Sequence, residues 1–285
     1  MTPQTIHEAL YWASSFLEEH GTEAKVAEIL LLHELKWTKT DLISNLREYL
    51  DPSTLKQYQK KIEQLATTKV PIQHLTGVEE FYGRSFHVNP HVLIPRPETE
   101  ELIHYLLTNV KKKELSCVDV GTGSGVIAIS LAKEWQNSVI EVLATDISTE
   151  ALQVARKNAE KHQADIHFYH GNFLTPLIEQ GKKVDMIVSN PPYIAYEEKD
   201  SLSETVKNFD PEMALFAEEN GLAAYQSIIE QAPFVLNEKG ILAFEIGHRQ
   251  GKAVTSIIKR TFPNSEVDVI QDINQKDRIV FATIL

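Results

Sequence analysis

The sequence predicts an α/β protein in which a helical bundle precedes a seven-stranded, mainly parallel, doubly wound sheet. The first observation is a change of rhythm near residue 115, after which short β-branched runs alternate with longer helical stretches. The second is that only residues 272–277 separate the last two apolar runs, too few for a crossover helix. These two runs are therefore expected to form an antiparallel hairpin at the sheet edge.

The elements of the sheet are predicted from apolar and β-branched runs that are bounded by turn residues. Strands are predicted at 116–120, 139–145, 166–170, 184–189, 240–246, 266–271 and 278–284. Helices are predicted at 124–135, 148–162, 221–236 and 250–261. In a doubly wound sheet of this kind, ligands bind at the carboxyl ends of the parallel strands.

Residues 1–68 are predicted to form a small helical bundle, because apolar side chains recur there at helical spacing. Thr2-Pro3 is expected to open its first helix and Asp51-Pro52 its last. The bundle contains no cluster of catalytic residue types, so packing alone is the simplest interpretation. Docking of a substrate protein is the second interpretation.

Residues 69–97 are predicted to form a linker with a β-hairpin around Tyr82-Gly83-Arg84, followed by a proline-rich stretch. Pro97 is expected to begin a helix, because proline is favoured at the first helical position. Residues 98–285 then form the α/β domain.

Composition and charge restrict the class of protein. The chain has 285 residues, 42% of them hydrophobic and 24% charged, which predicts a soluble globular protein. No apolar run approaches the ~18 residues of a membrane span, and the N-terminus lacks signal-peptide features. The single cysteine, Cys117, excludes an intrachain disulfide, which suits the cytoplasm. The net charge of −12 argues against stable nucleic-acid binding.

A glycine-rich loop, Gly121-Thr122-Gly123-Ser124-Gly125, follows the first strand of the α/β domain and opens its helix. Glycines let the backbone turn sharply and approach a ligand closely, and the helix N-terminus adds donors. The spacing departs from the G-x-G-x-x-G of dinucleotide sites. Together with the preceding Asp119, it suits a nucleoside carrying an amino-acid tail, whose cationic end Asp119 would orient. A packing turn is the alternative.

Two further strand ends are expected to line the same crevice. Asp146 ends the second strand, where an acid can accept both hydroxyls of a ribose. Ser148 is a good helix cap, so Asp146 could instead contribute to capping. Asn172 and Phe173 follow the third strand, near the expected position of an adenine. A core phenylalanine is the alternative for Phe173.

The stretch Asn190-Pro191-Pro192-Tyr193 ends the fourth strand. Its two prolines fix two φ angles and remove two backbone donors. The loop therefore presents an amide side chain, two free carbonyls and an aromatic face, a set that can hold a planar group bearing NH2. A plain strand-ending turn is the alternative. The convergence of this loop with the other strand ends favours a ligand site.

These three motifs resemble the class I S-adenosylmethionine-dependent methyltransferases that methylate planar nitrogens. With the helical N-terminal domain, further stretches narrow the resemblance to the peptide chain release factor glutamine methyltransferases, the HemK-like family. These stretches are Gln73-His74-Leu75-Thr76-Gly77, Phe81-Tyr82-Gly83-Arg84, Leu93-Ile94-Pro95-Arg96-Pro97-Glu98-Thr99-Glu100, Ala214-Leu215-Phe216-Ala217 and Phe244-Glu245-Ile246-Gly247. The resemblance covers nearly the whole chain.

The resemblance implies a Rossmann-like class I methyltransferase fold, S-adenosylmethionine as cofactor, S-adenosylhomocysteine as product, and no metal. It implies that the substrate is the glutamine of the Gly-Gly-Gln motif of class I release factors. The predicted cofactor-binding residues are Asp119, Gly121, Thr122, Gly123, Ser124, Gly125, Asp146, Asn172, Phe173 and Asn190. The predicted substrate-binding residues are Asn190, Pro191, Pro192 and Tyr193. Many members carry tryptophan where Phe173 aligns, so the adenine contact departs from the family pattern.

The predicted catalytic residues are Asn190, Pro191 and Tyr193. An amide nitrogen is a poor nucleophile, so the site must orient it and stabilise developing charge. The side-chain oxygen of Asn190 and the carbonyl of Pro191 would each accept one N–H, and Tyr193 would cover the flat face. Glu245 at the fifth strand end would contact the substrate or anchor a loop. Arg96, held between prolines, favours a salt bridge over a ligand contact.

Other functions remain open at this stage. The same loop could methylate the amino group of a flipped adenine, but that requires a basic cleft. A ribosomal protein glutamine is another possible substrate, and a non-catalytic adaptor that retains the cofactor is a third interpretation. A nicotinamide oxidoreductase is disfavoured by the glycine spacing. We expect a cytoplasmic monomer whose partners are class I release factors, without membrane association.

Overall fold

The computed structural model describes residues 4–111, 114–135 and 139–285, and the chain divides into two compact units. One unit comprises the chain up to Gly77 together with Ser203–Phe209. The other comprises Val78–Leu202 and Asp210–Leu285. The division predicted from the sequence, into segments 1–68, 69–97 and 98–285, assigns a different role to each segment. This assignment stays a prediction.

The described residues form fourteen α-helices, one 3-10 helix at Tyr196–Ser201, and eleven strands. The helices are α1 Ile6–Glu19, α2 Lys25–Leu35, α3 Lys39–Ser44, α4 Pro52–Thr68, α5 Ile72–Thr76, α6 Pro97–Asn109, α7 Val126–Glu134, α8 Thr149–His162, α9 Thr175–Glu179, α10 Glu204–Phe209, α11 Glu212–Leu215, α12 Glu218–Gly221, α13 Ala223–Val235 and α14 Gly251–Thr261. The strands are β1 Val78–Phe81, β2 Arg84–His87, β3 Glu114–Val120, β4 Val139–Asp146, β5 His167–His170, β6 Val184–Ser189, β7 Ile194–Ala195, β8 Phe216–Ala217, β9 Leu236–Glu245, β10 Glu266–Gln271 and β11 Asp277–Thr283.

The first unit is a helical bundle of α1–α5 that also includes α10. Apolar residues three or four positions apart along α1 face its core, as helical periodicity requires. They are Ile6, Ala9, Ala13 and Leu17. Within the described residues, the helix begins at Ile6, where Thr5 caps it in a reciprocal pair with Glu8. The predicted start at Thr2-Pro3 lies outside the described residues.

The second unit contains the sheet, whose strand order is β10-β11-β9-β6-β3-β4-β5. Strands β3, β4, β5, β6 and β9 pair in parallel, and β11 is antiparallel to both β9 and β10. The predicted seven-stranded, mainly parallel sheet with a terminal hairpin is confirmed. The hairpin β1–β2 also forms where the sequence predicts it.

The strand order reverses between β3 and β6, and this reversal positions the site. From β3 the chain continues outward through β4 and β5 on one side, and β6 leads to β9 on the other. The hydroxyl of Ser189 donates to the carbonyl of Val120 at 2.6 Å, joining the ends of the two central strands. A crevice opens outside the strand ends at such a reversal.

Asn158 on α8 fixes the hairpin to the glycine loop. Its side chain is fully buried, and its Nδ2 donates to the carbonyls of His87 at 2.9 Å and Ser124 at 2.8 Å. Its Oδ1 accepts from the backbone N–H of His87 at 2.7 Å. One side chain therefore satisfies three backbone groups from two loops that precede the helix in sequence.

Asn158→Leu is expected to lower the free energy of unfolding by about 3 kcal/mol, because three buried backbone groups lose a partner. Urea denaturation measures this change. Glu160→Leu, at an exposed position on the same helix, is the control and should leave the midpoint nearly unchanged. Equal midpoints for the two variants would contradict the role given to Asn158.

Candidate active site

A cavity of about 880 Å³ lies over the carboxyl ends of β3, β4, β5 and β6. It is lined by the glycine loop and the strand-end residues, and also by most residues of the segments 90–96 and 211–218. Of the predicted site residues, those that line it are Gly121, Thr122, Gly123, Ser124, Asp146, Asn172, Phe173, Asn190 and Pro192. The motifs predicted to converge at the strand ends are therefore brought together there.

Two glycines of the loop are open to the cavity, and the third serves packing. Gly121 and Gly123 have φ of 71° and 55°, and an added Cβ would meet nothing within 4 Å at either. At Gly125 (φ 85°) an added Cβ would lie 3.0 Å from Ile129 and 3.3 Å from Ala155. Gly125 does not line the cavity, because it is where α7 begins against α8. All three conformations are ones that favour glycine.

Asp119 lies beneath the loop and does not line the cavity. Its Oδ2 accepts from the hydroxyl of Thr122 at 2.6 Å and from the N–H of Ala128 at 3.2 Å. Its Oδ1 has no hydrogen-bond partner among the residues that the structure describes. Burial raises the pKa of this carboxyl to about 7. The carboxyl therefore braces the loop, and a direct role toward a cationic ligand stays a prediction.

Asp146 faces the cavity from the end of β4. Its Oδ2 accepts from the N–H of Gly123 at 2.8 Å, and its Oδ1 from the N–H of Ser148 at 2.9 Å. Each oxygen retains a lone pair that a hydroxyl can use. Burial raises the pKa of the carboxyl. Ser148, whose hydroxyl accepts from the N–H of Ala151, caps α8, so the helix does not require Asp146 as its cap.

The residues after β5 form one wall of the cavity. Asn172 is exposed, and Phe173 is partly buried with a φ of 48°, unusual for a non-glycine residue. Ile147, which sequence reasoning did not single out, lines the same cavity and is half exposed. Its position directly after Asp146, at the end of β4, is the feature of the sequence that could have indicated it. An apolar wall beside a carboxylate suits a ring attached to a sugar.

Asn190 lines the cavity and is held from behind by two buried residues. Its Nδ2 donates to Thr99 Oγ1 at 3.1 Å, and Thr99 Oγ1 donates to Glu245 Oε2 at 2.6 Å. Thr99 and Glu245 are 3% and 1% exposed. Sequence reasoning missed Thr99, and it left open whether Glu245 touches substrate. Glu245 does not line the cavity, and its carboxylate bonds Thr99.

The other residues of the Asn190 loop differ in exposure. Pro192 lines the cavity, whereas Pro191 is buried and Tyr193 packs with the apolar residues on one face of the sheet. The carbonyl of Tyr193 accepts from Gln250 Nε2 at 2.9 Å. Burial raises the pKa of the Tyr193 phenol to about 12. The roles of Pro191 and Tyr193 toward a substrate amide therefore stay predictions.

The predicted salt bridge of Arg96 is confirmed. Its guanidinium lies 2.6 Å from Oδ2 of Asp210, whose side chain is almost completely buried. Arg96 also lines the cavity. The pair joins the proline-rich linker to the segment before α11.

Glu245→Gln is expected to stabilise the protein in alkaline solution. Burial raises the pKa of Glu245 to about 7, so the folded state retains a proton that the unfolded chain releases near its ordinary pKa of 4.5. Stability therefore falls as the pH rises between these values, and the glutamine variant avoids this loss. We expect a gain of up to about 3 kcal/mol near pH ~8 and under about 1 kcal/mol near pH ~5. Urea denaturation at both pH values measures it, and a pH-independent difference would contradict it.

In the part of the chain that the structure describes, no three His, Cys, Asp or Glu side chains are grouped so as to hold a metal ion. Within the same residues, none of the helices combines the length and apolar character needed to cross a bilayer. The prediction that no metal takes part stays a prediction.

The strand order and the cavity over the strand ends define a class I methyltransferase fold. Residues 99–209 match the Methyltransferase small domain family, and residues 8–77 match the PrmC N-terminal domain family. A solved 16S rRNA methyltransferase of Thermus thermophilus, in complex with AdoMet and guanosine, shares the fold with a TM-score of 0.53. It is 15% identical, and the alignment covers 73% of this chain and 50% of that one.

Two curated relatives are similar over almost their whole length, and both are named release factor glutamine methyltransferase. The Bacillus subtilis protein is 46% identical, with 99% of this chain and 98% of the relative covered. The Bacillus anthracis protein is 45% identical, with 98% and 99% covered. The chain belongs to the release factor glutamine methyltransferase family. The family resemblance and the class of enzyme predicted from the motifs are thereby confirmed.

Proposed function

We propose that this enzyme transfers a methyl group from S-adenosylmethionine to the side-chain amide nitrogen of the glutamine in the Gly-Gly-Gln motif of class I release factors. It would thereby act in translation termination. The observation that carries the proposal is the anchored amide of Asn190. Because its Nδ2 is engaged by Thr99 at 3.1 Å, its oxygen is the atom left to accept an N–H from a ligand in the cavity.

The residues around the cavity fit S-adenosylmethionine. The open sides of Gly121 and Gly123 leave room for a close backbone approach, and an added Cβ would narrow it. Asp146 keeps a lone pair on each oxygen for the two ribose hydroxyls. Ile147 and Phe173 offer apolar contact to an adenine. When bound, the cofactor supplies an electrophilic methyl group and leaves as S-adenosylhomocysteine, and the methylated amide nitrogen then releases one of its protons to water.

The loop after β6 suits a substrate that donates hydrogen bonds and remains neutral. The lone pair of an amide nitrogen is delocalised, so fixed geometry and acceptors that favour developing positive charge lower the barrier most. Asn190 Oδ1 would accept one N–H and the carbonyl of Pro191 the other. Pro191 and Pro192 contribute no N–H that would compete for these acceptors. Tyr193 would cover the flat face of the substrate amide.

The bundle is proposed to dock the release factor, since residues 8–77 match a family-specific N-terminal domain and carry no catalytic cluster of their own. Because a release factor acts in translation, we propose that the reaction takes place in the cytoplasm. The monomeric state stays a prediction.

The test is transfer of labelled methyl from S-adenosylmethionine to purified substrates. A class I release factor should take up label. Ribosomal proteins, DNA and tRNA should not. Label on an adenine of nucleic acid would overturn the proposal, and label on a ribosomal protein alone would change the substrate. Tight cofactor binding without turnover on any substrate would favour an adaptor.

A further inference from the structure

Three side chains form a hydrogen-bonded chain that ends at the cavity. Glu245 Oε2 accepts from Thr99 Oγ1 at 2.6 Å, and Thr99 Oγ1 accepts from Asn190 Nδ2 at 3.1 Å. Thr99 and Glu245 are both buried, and Glu245 does not line the cavity. Thr99 lines the cavity together with Asn190. The chain crosses from the first turn of α6 to the end of β9.

The direction in which these hydrogen bonds are donated determines which side-chain atom Asn190 presents to the cavity. An ionised Glu245 can only accept, so the single proton of the Thr99 hydroxyl points toward it. The oxygen of Thr99 then has only lone pairs for Asn190, which must turn its NH2 group toward Thr99. Its Oδ1 is left for the cavity. If Glu245 were protonated, the carboxyl could donate to Thr99, Thr99 to Asn190 Oδ1, and the NH2 group would face the cavity.

We propose that Thr99 and Glu245 are positioning residues for methyl transfer, and that ionised Glu245 fixes the chain in the direction that presents Asn190 Oδ1 to the substrate amide. This inference rests on the proposed function, because it assumes that the substrate donates an N–H to Asn190. A reversed chain would set two donors against each other. A polarised chain also strengthens each of its hydrogen bonds, which increases the negative charge on Oδ1.

The surroundings of Glu245 allow both of its protonation states near neutral pH. Burial raises its pKa to about 7, and the side-chain hydrogen bonds of Thr99 and, more weakly, Asn190 lower it. Four titratable or charged side chains face it from the neighbouring elements. They are Arg278 on β11, Glu98 on α6, Tyr193 after β6 and Tyr225 on α13. Arg278 favours the ionised form and Glu98 opposes it.

The first test compares Thr99→Val with Thr99→Ser. Valine has nearly the shape of threonine but lacks the hydroxyl, so both hydrogen bonds of Thr99 are lost. Serine keeps the hydroxyl and can form them. We expect Thr99→Val to lower kcat about 10- to 100-fold, with KM for cofactor and release factor within about threefold of wild type. Thr99→Ser should stay within about threefold in kcat. Equal kcat values for the two variants, whether both normal or both reduced, would overturn the proposal.

The second test is the pH dependence of kcat for methylation of the release factor. Wild-type kcat should rise with pH as Glu245 ionises and then level off. This rise is the acid limb of the pH profile. Glu245→Gln and Thr99→Val should lack this limb, and Thr99→Ser should retain it. A limb that persists unchanged in Glu245→Gln would overturn the proposal. Wild-type enzyme that methylates no glutamine would instead refute the proposed function itself.

Discussion

Asn190→Ala is expected to lower kcat for methyl transfer by about 100-fold or more, the usual cost of removing one preorganised polar group from a reacting centre. Alanine removes the acceptor that would hold the substrate nitrogen against the cofactor. The glycine loop and Asp146, which would hold the cofactor, do not depend on Asn190 for any hydrogen bond seen among the described residues. Cofactor affinity should therefore change by no more than about threefold.

The matched control is Asn237→Ala, at the opposite end of β9 from the cavity, where the amide donates to Asp185 at 3.2 Å. Both variants lose one asparagine amide, but only Asn190→Ala should lose activity. Calorimetric titration with S-adenosylhomocysteine and single-turnover methylation separate binding from chemistry. Activity of Asn190→Ala within about tenfold of the control would contradict the role of this residue.

Asp146→Ala is expected to weaken cofactor binding by about 100-fold or more, since two hydrogen bonds to a carboxylate are lost, each worth about 1.5–3 kcal/mol. The loss should appear mainly in the dissociation constant and in KM for the cofactor. At saturating cofactor, kcat should recover more than it does in Asn190→Ala.

Asp146 also supports the N–H groups of Gly123 and Ser148, so part of the effect could come through the loop. The urea midpoint of Asp146→Ala reports the contribution of the loop, because loss of these two backbone partners lowers the stability of the protein without cofactor, whereas loss of ribose contacts does not. Asp165→Ala, at an exposed position before β5, is the control for charge alone. Unchanged cofactor affinity in Asp146→Ala would show that this carboxylate does not bind the ribose.

The central sheet could be predicted because its strands are short β-branched runs that are buried on both faces. Val184–Ser189 is an example, with the polar Asp185 near its start and Asn190 directly after its end. The strand ends then determine which residues share a crevice, since parallel strands present their carboxyl ends together. The helix after the glycine loop begins at Val126 and not at 124, because Gly125 has a φ that a helix cannot continue.

The region 194–222 could not be predicted, since its short elements carry no regular apolar period. It contains β7, β8, a 3-10 helix and three helices of four to six residues. Glu219 and Asn220 adopt positive φ, for which their residue types give little signal. The inclusion of 203–209 in the helical unit depends on contacts such as Thr205 with Lys69, far apart in sequence.

The pairing of the polar residues that support the site could not be predicted from the sequence. Thr99 and Glu245 lie in two separate family stretches, 146 residues apart, and nothing in either stretch indicates that the two side chains meet. The same holds for Asn158 and the loop at His87, which are 71 residues apart. Residues that face the ligand follow strand ends, where position reveals them. The buried residues that bond to them come from distant parts of the sequence, so only the tertiary structure shows which residues these are.

The most direct measurement is mass mapping of a class I release factor after incubation with the enzyme and S-adenosylmethionine. We expect one added methyl group on the peptide that contains the Gly-Gly-Gln motif, with fragment ions that locate it on the glutamine side chain. Asn190→Ala should leave this peptide unmodified. A methyl group on any other residue, or an unmodified release factor in the presence of enzyme that binds the cofactor, would contradict the central claim.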